Sequence, residues 1–139
     1  MTFTIEGAPR TKKNSLRRIR RGRRTFTVPS AAHEAWLAHA VPQLRRQWHP
    51  RAEDTSLDLA VDVPVNMRAL VYRDRAVGDL LNYLAAISDA LEAAGVVADD
   101  KLLLGLDGSR LLLDRKRPRV EIELTPLGSG TDVPVTATR

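Results

Sequence analysis

The sequence predicts an α+β fold, a mixed β-sheet with helices packed on one face. Two segments that alternate apolar and polar residues, TFTIEG near the start and VEIEL near the end, read as strands. Between them lie two stretches with helical periodicity, and the 139 residues suffice for one modest core. The resulting order β, α, β, α, β, β fits a single domain over residues 1–124, with a basic loop at 8–28 inside it and a disordered tail at 125–139.

Taken in order, the first strand places Phe3 and Ile5 on one face and ends at Gly7 and Pro9. The basic segment follows. Pro29 and Ser30 then introduce a helix whose Leu37, Val41, Leu44 and Trp48 recur at helical spacing, and Pro42 should kink or divide it. His33, His39 and His49 share no ligand spacing and are expected at the surface. After the polar connection 50–56, Val65, Met67, Ala69 and Val71 form one face of the next strand. Asp79 can cap a helix striped by Leu80, Leu84, Ile87 and Leu91, which Gly95 can end in the left-handed conformation. KLLLGLDGSRLLLD is either a tight hairpin around Asp107 and Gly108 or one long strand bulged there. From Thr125 onward no apolar period survives, which is the basis for a disordered tail.

Composition narrows the chemistry. There is no cysteine, so disulfides, thiolate catalysis and Cys-ligated metals are excluded. No apolar run approaches the ~20 residues of a membrane span and no signal-peptide block follows the N-terminus, so the expected setting is cytoplasmic, beside the nucleoid and away from membranes. The net charge of +5 is unevenly placed. Residues 1–24 hold nine bases, Arg10, Lys12, Lys13, Arg17, Arg18, Arg20, Arg21, Arg23 and Arg24, against the single acid Glu6. The remainder of the chain is slightly acidic. Such a block attracts polyanions through phosphate contacts. Arg115, Lys116, Arg117 and Arg119 form a second basic group, which a charged turn between strands explains equally well. Only Trp36, Trp48, Tyr72 and Tyr83 supply aromatic rings beyond residue 30, too few for a base-stacking platform.

No nucleophile elbow or glycine-rich phosphate loop is present, so what remains is carboxylates and a basic surface. Asp79 with Asn82 opens the second helix, and Asp99 with Asp100 follows it. Carboxylates that bind Mg²⁺, or Mn²⁺ in its place, beside a phosphate-attracting arm describe phosphodiester hydrolysis. The same inventory serves nucleic-acid binding, and residue types alone favour binding over catalysis.

A resemblance shifts that balance. D-L-L-N at 79–82, then A-x-x-D-A-L-x-x-A-G-V-V-A-D-D at 86–100, with P-R-T-K-K-N-S at 9–15 and D-R-K-R-P-R-V-E-I-E-L at 114–124, resembles the RusA family of Holliday-junction resolvases, common in prophages. The resemblance spans most of residues 3–124. It implies a RusA-like, dimeric, Mg²⁺-dependent endonuclease that cuts four-way DNA junctions in recombination and repair, with Asp79 and Asp100 as catalytic metal ligands and Asp99 beside them. With such a substrate, the charge of the basic segment makes Lys12, Lys13, Asn14, Arg17, Arg18, Arg20, Arg21, Arg23 and Arg24 the expected DNA contacts, with Asn82 beside the site in the first turn of the helix. Two departures stand out. Leu81 replaces a second family aspartate and Ala85 a family lysine, which weakens the ion's coordination and removes a charge stabiliser. Asp74, Asp107 and Asp114 are candidates for the missing oxygen ligand, and a protein that binds branched DNA without cutting it is the alternative.

Helix geometry adds a constraint. A helix over 80–94 puts Asp79 about 22 Å from its far end, and the few residues back to Asp100 recover at most ~20 Å. Either the chain doubles back tightly along the helix, or Asp79 meets Asp100 from a second chain.

Overall fold

The computed structural model describes residues 1–12, 16–29, 31–48 and 60–128, and within 16–29 it describes the side chains of residue 20 and residues 22–24 only. Lys13, Asn14, Ser15, the polar connection at 50–56, His49 and residues 129–139 of the expected tail lie outside the described residues. No described helix is long and apolar enough to cross a membrane.

Strand β1 (Thr2–Glu6) pairs antiparallel with β7 (Arg119–Pro126), and β7 pairs antiparallel with β4 (Val65–Arg73). The far edge of β4 carries two parallel partners in succession, β5 (Leu103–Gly105) near its start and β6 (Arg110–Leu113) near its end. The result is a mixed five-stranded sheet. Its alternation is regular. Phe3 and Ile5, Val65, Met67, Ala69 and Val71, and Val120, Ile122 and Leu124 are all buried on one face. Against them pack Trp36, Ala40 and Leu44 of helix α1 (Ala31–Trp48) and Leu84, Ile87, Ala90 and Leu91 of helix α2 (Leu80–Ala93), so both helices cover one face as the sequence predicts. Full burial of each large aliphatic side chain contributes about 1.5–3 kcal/mol.

The run between α2 and β7 resolves as one interrupted strand, because β5 and β6 both run parallel to β4, whereas a hairpin would reverse one of them. The interruption is sealed by side chains. Asn66 accepts from the Asp107 N–H and donates to its carbonyl, at 2.9 and 3.2 Å. The Ser109 hydroxyl accepts from the Ala69 N–H at 2.9 Å and donates to the Met67 carbonyl at 3.1 Å. Gly108, at φ +85°, has the Arg68 side chain where a Cβ would stand, which restricts the turn to glycine.

Four further expectations are corrected. The basic loop contains a two-stranded antiparallel hairpin, β2 (Leu16–Arg21) with β3 (Arg24–Pro29), closed by Gly22 and Arg23. Gly22 has φ +63°, the conformation the first position of a II′ turn requires. Second, α1 is not divided: Pro42 and Ala38, whose carbonyl loses its partner, both lie on the exposed side where water replaces the bond. Third, His33 is buried, its Nδ1 3.0 Å from the Arg10 carbonyl, because the buried stripe of α1 runs through His33, Trp36, Ala40, Gln43 and Leu44. Fourth, β7 continues through Thr125 and Pro126, paired with Asn66 and Val65, so the sheet includes the first residues of the expected tail.

Helix α1 also covers the outer edge of β1. The Gln43 side-chain amide accepts from the Glu6 N–H (2.8 Å) and donates to its carbonyl (3.1 Å). Gln47 does the same for Thr4, at 2.8 and 2.7 Å. The four residues from Gln43 to Gln47 rise about 6 Å and two strand residues about 6.8 Å, so the pair of glutamines matches the strand's spacing and satisfies an edge that otherwise invites pairing.

Candidate metal centre and nucleic-acid interface

The two ends of α2 are built by local chemistry. At its start the Asp79 carboxylate accepts from the backbone N–H and the side-chain amide of Asn82, both at 3.0 Å, so Asp79 is a true N-cap and Asn82 its partner. The loop before it is pinned from two sides. The Tyr83 hydroxyl donates to the Val77 carbonyl at 2.8 Å, and the Arg73 guanidinium reaches the carbonyls of Val77 and Gly78 at 3.4 and 3.5 Å. At the other end Gly95, at φ +77°, donates to Glu92 O while Val96 donates to Leu91 O, each at 3.0 Å, forming a Schellman cap.

Beyond this cap the chain turns back. Val96 and Val97 are buried, and Val97 bridges to Val61. Asp99 then caps a short 3-10 helix (Asp100–Leu102) by accepting from the Lys101 N–H at 2.9 Å. That bond holds the Asp99 carboxyl below its ordinary range. Glu92, on the last turns of α2, shows the reverse. Its carboxyl is raised by desolvation and then by the charges of Asp100, Asp99 and Asp89.

Asp100 opens into a cleft of about 190 Å³ with Met67, Leu81, Leu84, Ala85, Ser88, Leu103 and Leu106. Leu81 and Ala85, the two departures from the resembled pattern, therefore line the same cleft as Asp100, and they make it apolar where a carboxylate and an ammonium are expected. Leu81 is 71% exposed and Leu106 is 38% exposed, so two of the leucines that line the cleft are open to solvent. Leu81 lies off the stripe of Leu80, Leu84, Ile87 and Leu91, a signal of exposure that is legible in the sequence.

Asp99 and Asp100 are thus brought together, and both act on Glu92. Asp79 is not among the cleft residues. Leu81, two residues after it, is one of them, with Ala85 and Ser88 further along, so Asp100 lies against the early turns of the helix that Asp79 caps. Carboxylate oxygens suit a hard divalent cation. Among the described residues, however, no three acidic or imidazole side chains gather to hold one. Two of the candidate substitutes are already engaged. Asp74 forms a two-pronged ion pair with Arg10, both contacts at 3.0 Å, and that guanidinium keeps its carboxyl low. Asp114 accepts from the N–H groups of Lys116 and Arg117 and from the Arg119 side chain, and those bonds, the Arg117 N–H foremost, lower it. Asp107 sits in the turn that Asn66 holds, next to Leu106 of the cleft.

The basic surface divides in two. Arg20, Arg23 and Arg24 on the hairpin are exposed, with the Arg20 Nε donating to the Gly22 carbonyl at 3.3 Å. Lys12 pairs with Asp89 at 3.4 Å. Of Arg17, Arg18 and Arg21 the structure describes only the backbone. In the second basic group, Arg117 pairs with Glu6 at 2.6 Å, while Arg119 binds Asp114 and Glu121 and stacks 3.8 Å over Tyr72. These two arginines tie the β6–β7 turn to the sheet. Only Arg115 and Lys116 of that group extend without a described acidic partner.

No curated protein matches the chain. The family described as endodeoxyribonuclease RusA matches residues 6–125, nearly the whole of the described fold and both ends of α2. With an α+β mixed sheet, a capping aspartate before its central helix and an acidic pair after it, the chain belongs to the RusA endodeoxyribonuclease family.

Proposed function

We propose that this protein is a structure-selective endonuclease of four-way DNA junctions that works as a homodimer in the cytoplasm, on DNA of the nucleoid. In this reading Asp79, Asp99 and Asp100 hold a Mg²⁺ ion, for which Mn²⁺ can substitute. The observation that carries it is the return of the chain along α2: Asp100 lines a cleft with Leu81 and Ala85, on the first two turns of the helix, and Asp79 caps that helix two residues before Leu81. The exposed side chains of Leu81 and Leu106 at the cleft give a second copy of the chain apolar surface to bury.

The ion would supply an activated water and offset charge on the phosphate. This chain's own residues do the rest. Asn82 fixes the Asp79 carboxylate through two bonds, and Arg73 and Tyr83 hold the loop that presents it. The basic arm, with Lys12 and the arginines of the hairpin, contacts backbone phosphates and positions the junction without reading sequence.

A second reading, binding without cutting, is favoured by Leu81 and Ala85, which leave the cleft with Asp100 as its only acidic lining residue. Incubation with a synthetic four-way junction, with Mg²⁺ and with EDTA, separates the two. Paired symmetric nicks that require Mg²⁺ and disappear in Asp79→Asn are expected. Tight junction binding without nicks at any Mg²⁺ or Mn²⁺ concentration establishes the second reading instead.

A further inference from the structure

Residues 9–12, the root of the basic arm, are fastened to the body at several points. Pro9 and Thr11 are buried. The Arg10 carbonyl lies 3.0 Å from Nδ1 of His33, on the first turn of α1. The Arg10 guanidinium donates to the Pro9 carbonyl at 2.9 Å and, two-pronged, to Asp74 across 64 positions of sequence. Lys12 meets Asp89 on the third turn of α2. Asp74 directly follows β4 and opens the loop that leads to Asp79, so one guanidinium joins the arm to the segment that aims the candidate ligand. The other foot of the hairpin is fixed as well, since Pro29 is two residues from the start of α1.

We propose that the Arg10–Asp74 ion pair is a positioning device that sets the orientation of the arginine hairpin relative to Asp79, and hence where a bound phosphate backbone lies. The inference rests on the nuclease reading above only for its consequence in cleavage. The physical argument is one of reach. With Lys12 held, the span to Leu16 is four residues and extends at most ~14 Å. If the root releases, the next backbone anchor is Gly7, bonded to the Pro118 carbonyl at 3.0 Å, and the span grows to nine residues and ~30 Å. Two fixed feet narrow the range of orientations open to a hairpin. With one foot released it swings. The fork geometry matters because an arginine held by two parallel bonds cannot rotate as a lysine can.

The absence of cysteine makes the test clean. Nitroxide labels are placed on Arg23→Cys and Glu92→Cys, and the distance distribution is read by pulsed electron spin resonance on the DNA-free protein. The parent background should give one narrow distribution. Asp74→Asn should broaden it at least twofold, Arg10→Lys less so, and the reversed pair Arg10→Asp with Asp74→Arg should narrow it again. In unlabelled protein, Asp74→Asn should lower kcat on the junction about tenfold and leave KM within about threefold, because the phosphate contacts survive while their placement does not. An unchanged distribution in a folded Asp74→Asn protein overturns the proposal, as does a fall in kcat that the reversed pair and Arg10→Lys reproduce without any broadening. If the parent cuts no junction, the nuclease reading fails, and the distance measurement still decides the positioning role.

Discussion

Asp79 has two separable roles at the residue scale. As an N-cap it satisfies helix donors, which asparagine does as well as aspartate, whereas alanine costs about 1 kcal/mol. Asp79→Asn should therefore unfold in denaturant within a few tenths of a kcal/mol of the parent yet lose junction cleavage, while Asp79→Ala loses both. Cleavage that survives Asp79→Asn rejects the ligand assignment. Leu81 makes the complementary case. It is mostly exposed, so Leu81→Asp sacrifices little core packing and adds a carboxylate beside the cleft of Asp100. The double variant Leu81→Asp with Ala85→Lys should raise the cleavage rate at low Mg²⁺ by about tenfold or more, of the order that single charge-stabilising groups contribute. No gain in rate or in Mg²⁺ dependence means that these positions do not face the reacting phosphate.

Among the elements, the glutamine pair of α1 carries a stability prediction. Each glutamine bonds one N–H and one carbonyl of β1, so Gln43→Ala with Gln47→Ala strips four strand bonds. Partly buried groups left unpaired cost about 1–3 kcal/mol for each glutamine, and the opened edge should promote association, measurable as a lower urea midpoint and concentration-dependent light scattering. These glutamines were not legible as edge covers, since polar residues on an amphipathic helix ordinarily read as solvent-facing. The start and end of α2 were legible at Asp79 and Gly95 because both use local chemistry that one turn of chain decides. The strands β1, β4 and β7 were legible because one apolar face alternates along each. The β2–β3 hairpin was not, as its arginines hide the strand pattern and a single glycine in its turn gives the only cue. The placement of Asp100 beside Ser88 and Ala85 needed tertiary information: chain reach bounded the return path without fixing it.

For the whole molecule, charge sets both stability and binding. Arg10 holds Asp74 low, Arg117 holds Glu6 low, and backbone N–H groups with Arg119 hold Asp114 low. A carboxyl depressed in the folded state stabilises above its unfolded pKa, about 3.9 for Asp and 4.3 for Glu, and loses that contribution as pH falls through the folded value. Urea unfolding midpoints should therefore be level from pH 6 to 8 and fall steeply below about pH 4, with a shallower acid limb in Asp74→Asn. Junction affinity should fall linearly on a log–log plot against salt, and removing Arg20, Arg23 and Arg24 should reduce the slope by about 0.9 for each phosphate these side chains neutralise. That Asp79 and Asp100 of one chain share a site is the claim on which the catalytic account turns, and mixing Asp79→Asn with Asp100→Asn protein under subunit exchange tests it most directly. Every chain in the mixture lacks one ligand, so the mixture should stay as inactive as its components beside an active parent; nicking that returns on mixing contradicts the account.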